Sequence, residues 1–212
     1  MKKLGVGVLL ALTLGVVLLA GNASAQNVGD KSVYFVTYYS NANTAGAPNA
    51  VLRLINDGDA STGAIGGRPN GNLWASIYVF DDSQEMLECC NCFISADGLL
   101  SEWVNRELTG NPLTGRIPSR GVIKIISSST NDPTNNRLTA GIHGTMTHVQ
   151  YNLPTNTANA KVATAYVLSE APLSDANLVA AEKQALEQSC SFAITLGSGQ
   201  GTCSCTPEDQ DF

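Results

Sequence analysis

Leu73 to Ile94 reads LWASIYVFDDSQEMLECCNCFI, and this stretch decides the fold. Two apolar runs, Leu73–Phe80 and Glu85–Ile94, flank the polar quartet Asp81-Asp82-Ser83-Gln84. Aromatic and β-branched residues favour a pleated surface, and a short Asp/Ser segment favours a turn, so the stretch predicts a β-hairpin. Working outward, Ser32–Tyr39 (SVYFVTYY) is apolar on both faces and predicts an interior strand. Ala50–Ile55, Gly121–Ser127, Leu138–Val149 and Lys161–Leu168 complete a set of about seven strands. The linkers at 40–49, 56–72, 109–119, 128–137 and 152–160 are dense in Asn, Gly, Pro, Thr and Ser, as loops are. This pattern predicts a mainly β chain with an immunoglobulin-like β-sandwich architecture.

Two stretches break the β pattern and predict accessory helices. Between Asp97 and Leu108, residues Leu99, Leu100, Trp103, Val104 and Leu108 recur at helical spacing, and Gly110 follows as a stop. From Asp175 to about Leu196, Ser174 reads as the N-cap and Gly197 as the residue just past the end. Val179, Leu186, Cys190, Ala193 and Gly197 form one stripe, which reads as core contact.

The six cysteines are Cys89, Cys90, Cys92, Cys190, Cys203 and Cys205. An even count in an exported chain points to disulfides. On a strand alternate residues share a face, so Cys90 and Cys92 point one way and Cys89 the other. An extended tail likewise puts Cys203 and Cys205 on a shared face. The expected pairing joins Cys90 and Cys92 to Cys203 and Cys205, and Cys89 to Cys190. Each bridge would close a long loop, on the order of 4–5 kcal/mol in the chain-entropy model. A metal site is the competing reading, since two Cys-x-Cys pairs offer four thiolates to Zn²⁺ or Cu⁺. The usual zinc spacing Cys-x₂-Cys is absent, an oxidising compartment removes thiolates, and no metal is expected.

Export is read from the start of the chain. Lys2 and Lys3 precede an uncharged run from Leu4 to Ala20, and Ala23-Ser24-Ala25 follows as a small-x-small cleavage site. Residues 1–25 are therefore expected to be a signal peptide and 26–212 a single β-rich domain, secreted to the periplasm or exterior. No membrane attachment is expected after cleavage. Loss of Lys2 and Lys3 from 12 basic residues leaves 10 against 18 acidic ones, a net charge of −8. An acidic surface repels phosphate backbones, which excludes nucleic acid as a partner.

No catalytic constellation emerges. The two histidines, His143 and His148, are an odd number of residues apart and fall on opposite faces of a strand. No Gly-x-Ser-x-Gly elbow is present. The glycines at 197, 199 and 201 follow a helix instead of opening one, so they read as a turn and not as a phosphate loop. Asp57, Asp59 and Ser61 alternate like the start of a calcium loop, but Thr62 stands where that loop needs glycine and Arg68 where it needs glutamate. Asp81 and Asp82, with Glu85 and Glu88, make a second acidic group around the hairpin turn. Asp57, Asp59, Asp81 and Asp82 are thus candidate Ca²⁺ ligands, with solvated turns as the simpler reading. Trp74, Tyr78 and Phe80 share one face of their strand and read as core, or as a platform for a glycan or partner chain if that face is open.

The blocks Ile77-Tyr78-Val79-Phe80-Asp81, Gln84-Glu85-Met86 and Glu88-Cys89-Cys90-Asn91-Cys92 resemble a recurrent block in exported proteins of soil bacteria. Asp97-Gly98-Leu99-Leu100, Asn111-Pro112-Leu113-Thr114, Gly121-Val122-Ile123-Lys124-Ile125, Cys190 and the ending at 197–205 are similar to the same group. Cys203-Ser204-Cys205 is a shorter spacing than that group's ending. The family is uncharacterised, so the resemblance implies export and a shared architecture and carries no active site.

The function expected from these readings is a secreted or cell-surface structural or binding protein without catalytic activity, meeting a protein or glycan partner outside the cell. A glycan- or calcium-binding module is the first alternative, and a hydrolase with an unrecognised site the second.

Overall fold

The structure is a computed structural model that describes residues 33–58, 71–152 and 165–205. Its elements in chain order are β1 (Tyr34–Tyr39), β2 (Val51–Asn56), β3 (Leu73–Asp81), β4 (Met86–Ile94), β5 (Leu99–Trp103), a π-helical turn (Val104–Leu108), β6 (Gly121–Ser128), β7 (Ile142–Asn152), β8 (Ala165–Pro172), β9 (Ser174–Asp175) and α1 (Ala180–Thr195). The strands form two antiparallel sheets. Sheet A has the order β4-β3-β6-β1-β9, and sheet B the order β5-β2-β7-β8. The chain is therefore a mainly β, disulfide-stabilised sandwich with two helical elements.

Side-chain alternation explains the layering. Odd residues of β3 and β6 (Ile77, Val79, Ile123, Ile125) meet Leu52, Leu54, Leu100, Ile142 and Met146 from sheet B in one buried core. The opposite face of sheet A presents Tyr34, Tyr78, Cys89 and Ile126, which pack on Leu178, Leu186 and Cys190 in and before α1. Helix α1 is thus a third layer, laid on the back of sheet A.

The hairpin predicted at 73–94 forms, with β3 paired to β4 from Leu73↔Ile94 onward and a bulge at Val79/Phe80. The Asp81 carboxylate builds its turn by accepting the backbone N–H groups of Ser83 (2.8 Å) and Glu85 (3.0 Å). Gly121, where β6 begins, has no room for a side chain. A Cβ there would lie 1.9 Å from the Phe80 carbonyl oxygen and 2.6 Å from the Tyr39 hydroxyl, which itself donates to that carbonyl.

Three sequence expectations are corrected. The expected helix over 97–108 is instead β5 followed by the π-helical turn. Leu100 and Glu102 point inward while Leu99, Ser101 and Trp103 point outward, a period of two. Pairing with β2 (Leu54↔Leu100, Val51↔Trp103) overrides the helical spacing, which Leu100, Val104 and Leu108 satisfy only as buried anchors. The expected helix from Asp175 begins at Ala180, after Val179, with no side-chain cap. Ser174 and Asp175 are recruited by β1 (Val36↔Ser174, Phe35↔Asp175) and form β9 instead. The far end is as expected: Gly197 takes φ +61° just past the helix. The strand expected at 138–149 begins only at Ile142, with Leu138 making an isolated bridge to Ser128. Of the strand expected at 161–168, residues 161–164 lie outside the described residues, as does the expected signal peptide at 1–25. Among the described residues no helix is long and apolar enough to cross a membrane.

Candidate functional site

Among the described residues, the outer face of sheet B combines exposed apolar side chains with a hydrogen-bonded polar network. Register places Leu99, Ile55 and His143 in one cross-strand row, and Ser101, Arg53, Thr145 and Pro172 in the next. Leu99 and Ile55 are each 47% exposed and Trp103 is 41% exposed. Between the Leu99–Ile55 pair and Trp103 begins a fixed polar network. Arg53 Nη1 donates to Glu170 Oε1 at 2.9 Å, and the hydroxyls of Thr145 (2.5 Å) and Thr147 (2.7 Å) donate to the same carboxylate. Burial pushes the Glu170 carboxyl up, but the two hydroxyls and Arg53 outweigh it and hold the group below the usual carboxylate range. The row ends at His143, whose Nε2 lies 3.0 Å from Asp57 Oδ2 at the surface. The sequence reading missed Arg53, Thr145, Thr147 and Glu170. The signal was present in the alternation Leu52-Arg53-Leu54 and Met146-Thr147, where each polar residue must face away from a buried neighbour.

Strand β8 closes this sheet at its edge and is exposed along most of its length. Val167 is 43% and Leu168 54% exposed. Tyr166 packs edge-on against Tyr151 of β7 with ring centres 6.0 Å apart.

The cysteines form three disulfides: Cys89–Cys190, Cys90–Cys203 and Cys92–Cys205. This is the arrangement the face argument expects. Cys89 lies on the helix side of β4, while Cys90 and Cys92 lie on the sandwich side. The tail follows β4 closely: Cys89 N–H donates to the Gly201 carbonyl, and Cys203 N–H to the Cys89 carbonyl. The sulfurs of Cys90, Cys92 and Cys205 lie within 4.8 Å of one another, a spacing that thiolates could use for a metal. In the bonded state these sulfurs belong to two neighbouring bridges and carry no thiolate.

The candidate calcium ligands are not brought together as a cage. Asp81 serves its turn, and Asp82 is bonded to Arg120 at 2.7 Å, which holds its carboxyl below the usual range. These two aspartates line a surface cavity with Arg116 and Arg120. Asp57 sits elsewhere, with His143, and Asp59 lies outside the described residues.

The aromatic row is divided by α1. Tyr78 is fully buried among the helix contacts, donates its hydroxyl to the Pro133 carbonyl at 2.6 Å, and accepts from Asn136 Nδ2 at 2.7 Å. Trp74 makes an edge contact with Phe93 at one end, and Phe80 lies under the Lys124 ammonium at the other. Trp74, Tyr78 and Phe80 therefore do not make one continuous platform. The histidines fall on opposite sides as the spacing requires. His148 is 7% exposed and stacks on Tyr38 with ring centres 4.0 Å apart, and burial pushes its pKa down.

No protein-family model matches this chain, and no curated protein or solved structure matches it either.

Proposed function

We propose that this protein is exported, loses residues 1–25, and acts outside the cytoplasm as a structural or binding protein without catalytic chemistry of its own. The observation that carries this reading is the surface of sheet B. Exposed Leu99 and Ile55 on one side and Trp103 on the other flank the Arg53 end of the hydrogen-bonded Arg53–Glu170 network, which reaches the exposed edge strand β8. Exposed apolar side chains beside fixed polar groups, and an exposed edge strand, are features through which proteins meet other molecules. Three bridges and a leader-like start favour the oxidising exterior. The resemblance to exported soil-bacterial proteins supports the same compartment.

The experiment is expression of the full chain in a bacterial host, followed by fractionation and N-terminal sequencing. The expected product begins at Gln26 and is recovered outside the cytoplasm, bound to the surface or to an external partner. Recovery from the cytosol with Met1 in place sinks the reading.

A glycan-binding module is the second reading, favoured by the exposed ring of Trp103 on the same sheet as the Arg53–Glu170 pair. Affinity electrophoresis in gels containing neutral polysaccharides tests it. Retardation that disappears in Trp103→Ala supports it, and unchanged mobility in every gel removes it. Asp81 and Asp82 would join a calcium-dependent version only if Ca²⁺ displaced Arg120 and the turn N–H groups.

A further inference from the structure

We infer that β8 is a self-pairing edge: two copies of this chain join β8 to β8 in antiparallel fashion and fuse their four-stranded B sheets into one eight-stranded sheet. The inference rests on the structural reading above and names its partner.

Natural sheets blunt their edges with lysine, proline, bulges, short strands or a covering segment. Sheet A does so at β4, where the disulfide-bonded tail lies along the strand through Gly201, Thr202 and Cys203. At its other edge β9 is only two residues long. Among the described residues nothing covers the free edge of β8, and its interior carries no lysine, proline or bulge. It runs for eight residues in unbroken register with β7, contains no lysine or arginine, and has its one proline, Pro172, at the terminal position. Its single charge, Glu170, is turned across the sheet onto Arg53, Thr145 and Thr147.

Charge selects a second copy as the occupant. The full chain carries a net −6, and −8 without residues 1–25, so most approaches of two copies set acid against acid. The β8 edge avoids this, because its only carboxylate is already paired with Arg53. In an antiparallel pairing about Leu168, that residue faces its own copy, Val167 faces Ser169, and Tyr166 faces Glu170. Like charges meet only if the pairing is centred on Glu170 itself. The resulting contact is two-fold and closes on itself, as isologous interfaces do. It covers Val167 and Leu168, which the single chain leaves largely exposed.

The test is sedimentation analysis of the disulfide-bonded protein over a wide concentration range, with Leu168→Lys and Leu168→Glu as variants. Leu168 is more than half exposed, so both variants should keep the wild-type circular dichroism. The expected results are a wild-type dimer, dissociation constants raised at least tenfold in each variant alone, and association restored when the two variants are mixed. A wild-type protein that stays monomeric throughout overturns the inference, as does a dimer indifferent to both substitutions. A monomer recovered from outside the cell would defeat self-pairing and leave the export reading standing.

Discussion

Cys89 of β4 is bonded to Cys190 of α1 with their Cα atoms 5.7 Å apart, and this bond holds the helix against the back of sheet A. The bridge spans 101 residues of sequence. It is the one disulfide made by α1 itself, because the other two bridges tie the tail that follows the helix to β4. Replacing both residues by alanine should cost about 2–5 kcal/mol in a denaturant titration. Hydrogen exchange should show α1 losing protection well before β3 and β6. Equal loss across all layers would contradict the assignment.

Asn136 gives a second, non-covalent test of the same layer contact. It is 5% exposed and joins Tyr78 Oη (2.7 Å), Ser76 Oγ (2.5 Å) and Glu187 Oε1 of α1 (3.1 Å). Its removal deletes these three hydrogen bonds, each contributing about 0.5–1.5 kcal/mol net, while Tyr78, Ser76 and Glu187 keep their bonds to Pro133, Asn91 and Lys183. Asn136→Ala should therefore destabilise by roughly 2–4 kcal/mol, while Asn131→Ala, at an exposed loop position, should change the midpoint little.

Glu88 sets a pH dependence. It is fully buried, accepts the Asn111 N–H at 2.7 Å, and burial pushes its pKa up to about 7. The folded chain therefore holds this proton after the unfolded chain has released it near pH 4.5. Stability should fall as pH rises from about 4.5 to about 7 and level off above, a cost of about 3 kcal/mol for a shift of that size. Glu88→Gln keeps an acceptor for Asn111 and should remove this decline. Parallel pH–melting curves for the two proteins would contradict the account.

The hairpin and the disulfide faces were legible because they rest on local rules. Strand alternation and turn chemistry at Asp81–Gln84 need no knowledge of distant partners. The region 97–108 was not legible for the opposite reason. Leu99, Leu100, Trp103 and Val104 satisfy both periods, and only the presence of β2 alongside decides between them. Ser174 failed as a cap because β1 takes Ser174 and Asp175 themselves into sheet pairing, which local sequence cannot reveal. The sheet B surface was hidden by the same error, since a helical reading of Trp103 and Leu99 buries the side chains that the structure exposes. The aromatic row on β3 was placed correctly on one face, but the helix that covers its centre arrives from 100 residues downstream.

Exposure orders the reduction of the three bridges. Cys89, Cys92 and Cys190 are at most 1% exposed, Cys90 and Cys203 are below 10%, and Cys205 is the most accessible of the six. Thiol–disulfide exchange needs access to a sulfur. Cys92–Cys205 should open first under mild dithiol, followed by Cys90–Cys203, with Cys89–Cys190 last. Timed alkylation and mass spectrometry read that order, and early loss of Cys89–Cys190 would contradict it.

The disulfide map of the protein collected outside the cell is the most direct test of the clamped, exported sandwich. Stepwise reduction with peptide mass spectrometry should find Cys89 with Cys190, Cys90 with Cys203, Cys92 with Cys205, and no free thiol. Free sulfhydryls, or a bond joining Cys190 to Cys203 or Cys205, would contradict it.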